Sequence, residues 1–149
     1  MSGLSVKKSV QVRAPARRVW EVLLGEDYTS VWLGELSPGS RAVTDWQPGS
    51  KAHFVDAEGC GLVSEITANE PFMRISMTHK GVLADGREEF ESEDAKSWNG
   101  RVETYVLTEN AGVTTLDIEQ ELPEAYEESI SSMWDKALAK IKELAEQGS

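Results

Sequence analysis

Residues 123–149 read PEAYEESISSMWDKALAKIKELAEQGS, and the fold turns on them. Tyr126, Ile130, Met133, Trp134, Ala137, Leu138, Ile141, Leu144 and Ala145 recur at steps of three and four. That spacing lays one broad apolar stripe along an α-helix. Glu124, Glu127 and Glu128 come early in it and Lys136, Lys140 and Lys142 later, an order that complements the helix dipole. A helix this long, with a stripe this wide, needs a large apolar surface to cover it.

The residues upstream supply strands. In 4–13, LSVKKSVQVR, Leu4, Val6, Val10 and Val12 share one face and Ser5, Lys7, Ser9, Gln11 and Arg13 the other, the period of a half-buried strand. Lys8 interrupts the apolar face, and its long stem lets it reach an edge or enter a cavity. Pro15 and Gly25 bracket a short amphipathic helix carrying Val19, Trp20, Leu23 and Leu24. EDYTSVWLG, ending at Gly34, predicts a second short helix. Residues 34–50 read as loop, with a short strand within RAVTDW at 41–46. Strands are predicted at 51–56, 61–68, 72–80, 101–108 and 113–122, separated by turn signals such as Asn110-Ala111-Gly112. DGREEFESED, at 85–94, reads as a solvated acidic rim loop. Such short connections require antiparallel pairing, because parallel strands need crossover helices. The predicted class is α+β: a curved antiparallel sheet of about six or seven strands around a long C-terminal helix, with two short helices after the first strand. One sheet cannot cover its face with one helix unless it curls around that helix, and a curled sheet leaves a space between them. The whole chain, 1–149, is expected to form a single domain.

Charge narrows the partners. The 149 residues hold 26 acids and 15 bases, for a net charge of −11. Nucleic acid and anionic membrane surfaces are therefore not expected partners. The first 20 residues carry Lys7, Lys8, Arg13, Arg17 and Arg18 and no acid. The first strand is expected to lie beside Asp117, Glu119 and Glu121, where opposite charges across strands are favourable. One cysteine, Cys60, excludes an internal disulfide, and no Cys/His spacing fits zinc. The acidic stretch lacks the spacing of a calcium loop, so neither metal nor cofactor is expected. No signal peptide or membrane-length apolar run is present in the sequence, so a cytoplasmic location is expected and membrane insertion is not.

Candidate site residues follow from strand parity. Met73, Ile75, Met77 and His79 fall on one face, read as inward. The two methionines suit either adaptable contact with a ligand or simple core filling. Glu103 and Tyr105 share a face with Leu107, and if it points inward they are polar groups in an apolar space, as a binding site or a structural hydrogen-bonded pair requires. Trp32, Trp46 and Trp98 sit beside loops, where they would frame a cavity mouth; Ile130, Met133 and Trp134 would wall it from the helix. His53 shares parity with Lys51 and Val55, so no His–Asp pair with Asp56 is implied, and no G-x-S-x-G elbow is present. Catalytic residues are not assigned, and Cys60 has no cation near it in sequence to activate the thiol.

Several motifs in order carry a family resemblance. APARRVWEVL at 14–23 is similar to the opening of the SRPBCC superfamily, also called START-like or birch-pollen-allergen-like helix-grip proteins. WQPGS at 46–50, DAEG at 56–59, GLVSEI at 61–66 and the helix bearing Met133-Trp134 resemble the branch of homologues to the activator of the heat-shock-protein-90 ATPase. The resemblance implies a cavity between sheet and long helix that binds a small apolar or amphipathic molecule. It also implies two alternatives. One is a cyclase- or dehydratase-like enzyme using His79 or His53 as general base; the other is a chaperone cofactor acting through its surface. No particular protein partner is identified.

Overall fold

The computed structural model describes residues 4–35 and 37–147. The chain runs β1 (Leu4–Val12), α1 (Ala16–Leu24), α2 (Glu26–Leu33), β2 (Arg41–Val43), β3 (Lys51–Val55), β4 (Gly61–Glu70), β5 (Arg74–Ala84) and β6 (Arg87–Glu89). It continues through α3 (Glu93–Trp98), β7 (Val102–Asn110), β8 (Val113–Leu122), a 3-10 turn (Glu124–Tyr126) and α4 (Glu127–Gln147). The strands pair antiparallel in the order β1-β8-β7-β5-β4-β3-β2, with β6 added beside β5. The curled sheet and the long terminal helix are those of the helix-grip fold, as the sequence predicts.

Alternation along the strands sets the inner face. Ile75, Met77 and His79 of β5, Glu103, Tyr105 and Leu107 of β7, and Leu116, Ile118, Gln120 and Leu122 of β8 are all buried. From α4, Trp134, Ala137, Leu138, Ile141 and Ala145 are buried. Trp134 packs against Trp32 of α2 and edge-on to Tyr105 of β7, so the stripe read in 126–145 is anchored by aromatic contacts on two sides.

The basic first strand pairs as expected. Ser5, Lys7 and Ser9 lie opposite Glu121, Glu119 and Asp117, and Lys7 Nζ stands 3.9 Å from Glu119 Oε2. Lys8, on the inner parity, reaches across to Asp135 of α4 at 3.0 Å. It thus bridges the sheet edge to the helix, keeping its ammonium at the surface.

Two segments depart from expectation. The acidic stretch 85–94 is not a plain rim loop. Asp85 and Gly86, with φ of 51° and 77°, form the two-residue turn that matches strand twist and folds β6 back on β5. Ser92 then caps α3 by accepting a hydrogen bond from the Ala95 amide. The second departure is the start of β5. Phe72 adopts φ 68° in a turn closed by Met73 N donating to Glu70 O at 2.9 Å. The strand therefore begins at Arg74, and Met73 is 59% exposed in the turn instead of facing inward.

Candidate functional site

A hollow of about 730 Å³ opens between the sheet, α3 and the start of α4. Phe54, Leu62 and Val82 line it from β3, β4 and β5, Trp98 from α3, and Ile130 and Met133 from α4. The charged lining is Arg41, Asp56, Glu89 and Asp94, three acids against one base. Tyr126 also lines it, its ring tilted against Trp98 at a centroid distance of 5.3 Å and its hydroxyl donating to Asp94 at 2.7 Å. Hydrogen bonding to Asp94, with burial, raises the Tyr126 phenol above its ordinary value.

Polar side chains cross the inner face of four neighbouring strands beside this hollow. His79 Nδ1 lies 2.7 Å from Ser64 Oγ, and His79 Nε2 lies 3.1 Å from Glu103 Oε1. Glu103 Oε2 accepts the Tyr105 hydroxyl. Trp134 Nε1 donates to Gln120 Oε1 at 2.9 Å. Burial first, and then the nearby Glu103 charge, push the Tyr105 phenol well above its usual value, so it stays protonated and serves as a donor. Two register shifts in the β4–β5 ladder, between Val63 and Ser64 and between Ile66 and Ala68, set Ser64 opposite His79. Trp98 meets the His79 ring edge-on at 5.4 Å, and His79 has no exposed surface.

The residues singled out in the sequence are thus divided. Trp98, Ile130, Met133 and Trp134 line the hollow. Ile75, Met77, His79, Glu103 and Tyr105 face inward but are buried in the core beside it. Three others stand elsewhere. Met73 is in the exposed turn described above. Trp32 is a core residue whose indole donates to the Val22 carbonyl at 3.0 Å, not part of a rim. Trp46 is half-buried against Phe54 and is not among the residues lining the hollow. The structure adds Gln120, which shares parity with Leu116, Ile118 and Leu122, and Ser64, which shares it with Leu62 and Ile66. That pattern was the available signal.

His53 belongs to a separate cluster. His53 Nε2 and Lys51 Nζ each lie 2.7 Å from Glu88 Oε2 of β6. Lys51 first, then His53, holds the Glu88 carboxyl below the ordinary carboxylate range. A lowered folded-state value stabilises above the ordinary range and is lost as pH falls through it. These side chains are partly exposed, so the contribution is small, about 0–1 kcal/mol. Glu88→Gln is expected to speed amide exchange in 87–89 at neutral pH, with the difference from the parent vanishing on acidification. Unchanged exchange would show that the cluster does not hold β6. Among the described residues, no group of three or more His, Cys, Asp or Glu is placed to hold a metal ion, and no helix is long and apolar enough to cross a membrane.

Comparison with known proteins bears on this arrangement. The model of the family described as Activator of Hsp90 ATPase homolog 1-like protein matches residues 13–146. The chain belongs to this family. It lies within the SRPBCC superfamily, as its motifs implied. No curated protein matches it in sequence. Among solved structures, protein MLL2253 from Mesorhizobium loti aligns with a TM-score of 0.78 at 18% identity, over 98% of this chain and 99% of that one. The Aha1 dimer from Colwellia psychrerythraea aligns at 0.73 and 15% identity, over 98% of each chain. DynU16, a putative protein of the dynemicin biosynthetic locus, aligns at 0.72 and 19% identity, over 97% of this chain but 48% of its own. At these identities the likeness concerns the fold.

Proposed function

We propose that this member of the activator of Hsp90 ATPase homolog 1-like family binds a small apolar or amphipathic molecule in the hollow between sheet and terminal helix. The observation that carries the reading is the 730 Å³ space walled by Phe54, Leu62, Val82, Ile130 and Met133. Burying a ligand there removes apolar surface from water at about 25 cal/mol per Å². The acidic excess at the lining, in a chain of net charge −11, disfavours anions and selects neutral or cationic molecules. A neutral solvatochromic dye is expected to brighten and shift blue with the purified protein, and an anionic dye of similar size to bind less well. Ile130→Trp, which fills the space from α4, is expected to weaken dye binding at least tenfold without loss of fold. Unchanged binding in that variant would place the dye elsewhere.

The His79–Glu103 contact favours a second reading, an acid–base enzyme in which Glu103 orients the His79 base. A general base must reach the proton it takes, and an imidazole with no exposed surface meets that requirement only if Trp98 or Gln120 moves. A ligand-induced change in the His79 ring resonances, enlarged in a Trp98→Ala variant that uncovers the ring, would favour the enzyme. The family name favours a chaperone cofactor, which an Hsp90 pull-down and ATPase assay would test directly.

A further inference from the structure

We infer that the molecule taken into the hollow carries a carbonyl-type oxygen at its inner end, and that the Gln120 amide N–H binds that oxygen. The inference rests on the hollow being a binding site.

It starts from the orientation of the Gln120 carboxamide. An indole N–H can only donate, and Trp134 Nε1 lies 2.9 Å from Gln120. The carboxamide oxygen must therefore face Trp134, which turns Nε2 and its two hydrogens towards His79. There Gln120 Nε2 stands 3.4 Å from His79 Nε2, while Glu103 Oε1 stands nearer, at 3.1 Å. A ring nitrogen offers one in-plane bonding direction, as an N–H or as a lone pair.

In every protonation arrangement at least one Gln120 amide hydrogen is left over. If His79 carries its proton on Nε2, that N–H goes to Glu103 and presents no acceptor to Gln120. If the ring is doubly protonated, Nδ1 donates to Ser64 and Nε2 again donates to Glu103. If the proton instead sits on Glu103 Oε1, the His79 Nε2 lone pair accepts it and is occupied. In these three His79 accepts neither Gln120 amide hydrogen; with the proton on Nδ1, facing Ser64, and Glu103 ionised, the Nε2 lone pair takes one of the two at 3.4 Å and leaves the other.

Gln120 is only 5% exposed, and it lines the hollow. A buried amide hydrogen lacking an acceptor leaves donor capacity unused and calls for a cause. Among the described residues, His79 Nε2 is the one acceptor within hydrogen-bond reach of the Gln120 amide nitrogen. A ligand oxygen entering between the sheet and α4 meets this need, while its apolar body contacts the walls. The Trp134 bond holds the amide in place beforehand, so little ordering is required on binding.

The test compares two probes of nearly equal shape, 9-fluorenone and fluorene, which differ by one carbonyl. With the full chain, fluorenone is expected to bind about tenfold tighter, and its carbonyl stretch to move to lower wavenumber when bound. Gln120→Met is expected to bring the two affinities together and abolish the infrared shift. Gln120→Glu, which keeps an acceptor for Trp134 but loses the amide hydrogens, is expected to do the same. Should Gln120→Met fail to fold, Gln120→Glu and the infrared shift in the unaltered protein decide. Equal affinities and no shift in the unaltered protein would overturn the inference while leaving the hollow as a binding site. A preference that survives in both variants would overturn it too. Failure of both probes to bind the folded protein would count against the binding reading itself.

Discussion

Trp134→Ala is expected to lower stability by about 3–5 kcal/mol, a fall in Tm of roughly 6–20 °C. The indole is among the largest fully buried side chains, and it touches three elements at once. It packs on Trp32 of α2, meets Tyr105 of β7 edge-on, and donates to Gln120 of β8. Truncation removes the apolar burial, leaves a cavity that rigid strands cannot close, and strips Gln120 of its partner. Trp46→Ala, at a half-buried position packed mainly on Phe54, serves as the comparison and is expected to cost much less. Scanning calorimetry on both variants measures the difference. A loss below about 1 kcal/mol at Trp134 would show that α4 is not gripped through this residue.

Glu103→Leu is expected to destabilise by a similar amount, about 3–5 kcal/mol, because removing one member of a buried polar set leaves the others unpaired. His79 and Tyr105 would both lose the carboxylate that they contact. The same reasoning predicts partial recovery when the partners are removed as well. Glu103→Leu combined with His79→Leu, Tyr105→Phe and Ser64→Ala is expected to be more stable than Glu103→Leu alone, since groups that contact one another are then removed together and fewer are left stranded. Additive losses in denaturant unfolding would show that these side chains do not act as a unit.

Tyr105 adds a dependence on pH whose sign follows from burial. Its folded-state value is raised, so the unfolded chain ionises first, near pH ~10. The stabilisation is complete below that pH and is lost as pH rises towards the folded value. Tyr105→Phe is expected to flatten the alkaline limb of the stability curve. Tyrosinate absorbance should show Tyr105 ionising only as the protein unfolds.

Much of this architecture was legible because it depends on local alternation. The stripe from Tyr126 to Ala145 marked α4, and a period-two run marked the apolar face of β1. Parity alone puts His79 on the inner face and groups Glu103 with Tyr105 and Leu107, while the direction of that second face came from the structure. The same parity would have marked Gln120 and Ser64, but polar residues within apolar rows are easily passed over. In 85–94 the acids drew the reading towards a solvated loop, although Asp85-Gly86 is a hairpin signal and Ser92 a helix cap. Met73 was misplaced because nothing local announces that Phe72 adopts a left-handed backbone and delays the strand.

The amino-acid order settled which faces are apolar, where the helices run and how the first strand's bases meet acids of β8, because each rests on neighbours a few residues apart or on charge pairing. The meeting of Ser64, His79, Glu103 and Gln120 rests on the cross-strand register, which two β4–β5 irregularities shift out of simple alternation. The hollow depends on how tightly the curled sheet closes on α4, the combined outcome of every strand pairing. Folding in three dimensions was needed to set both, since neither is encoded within any single run of sequence.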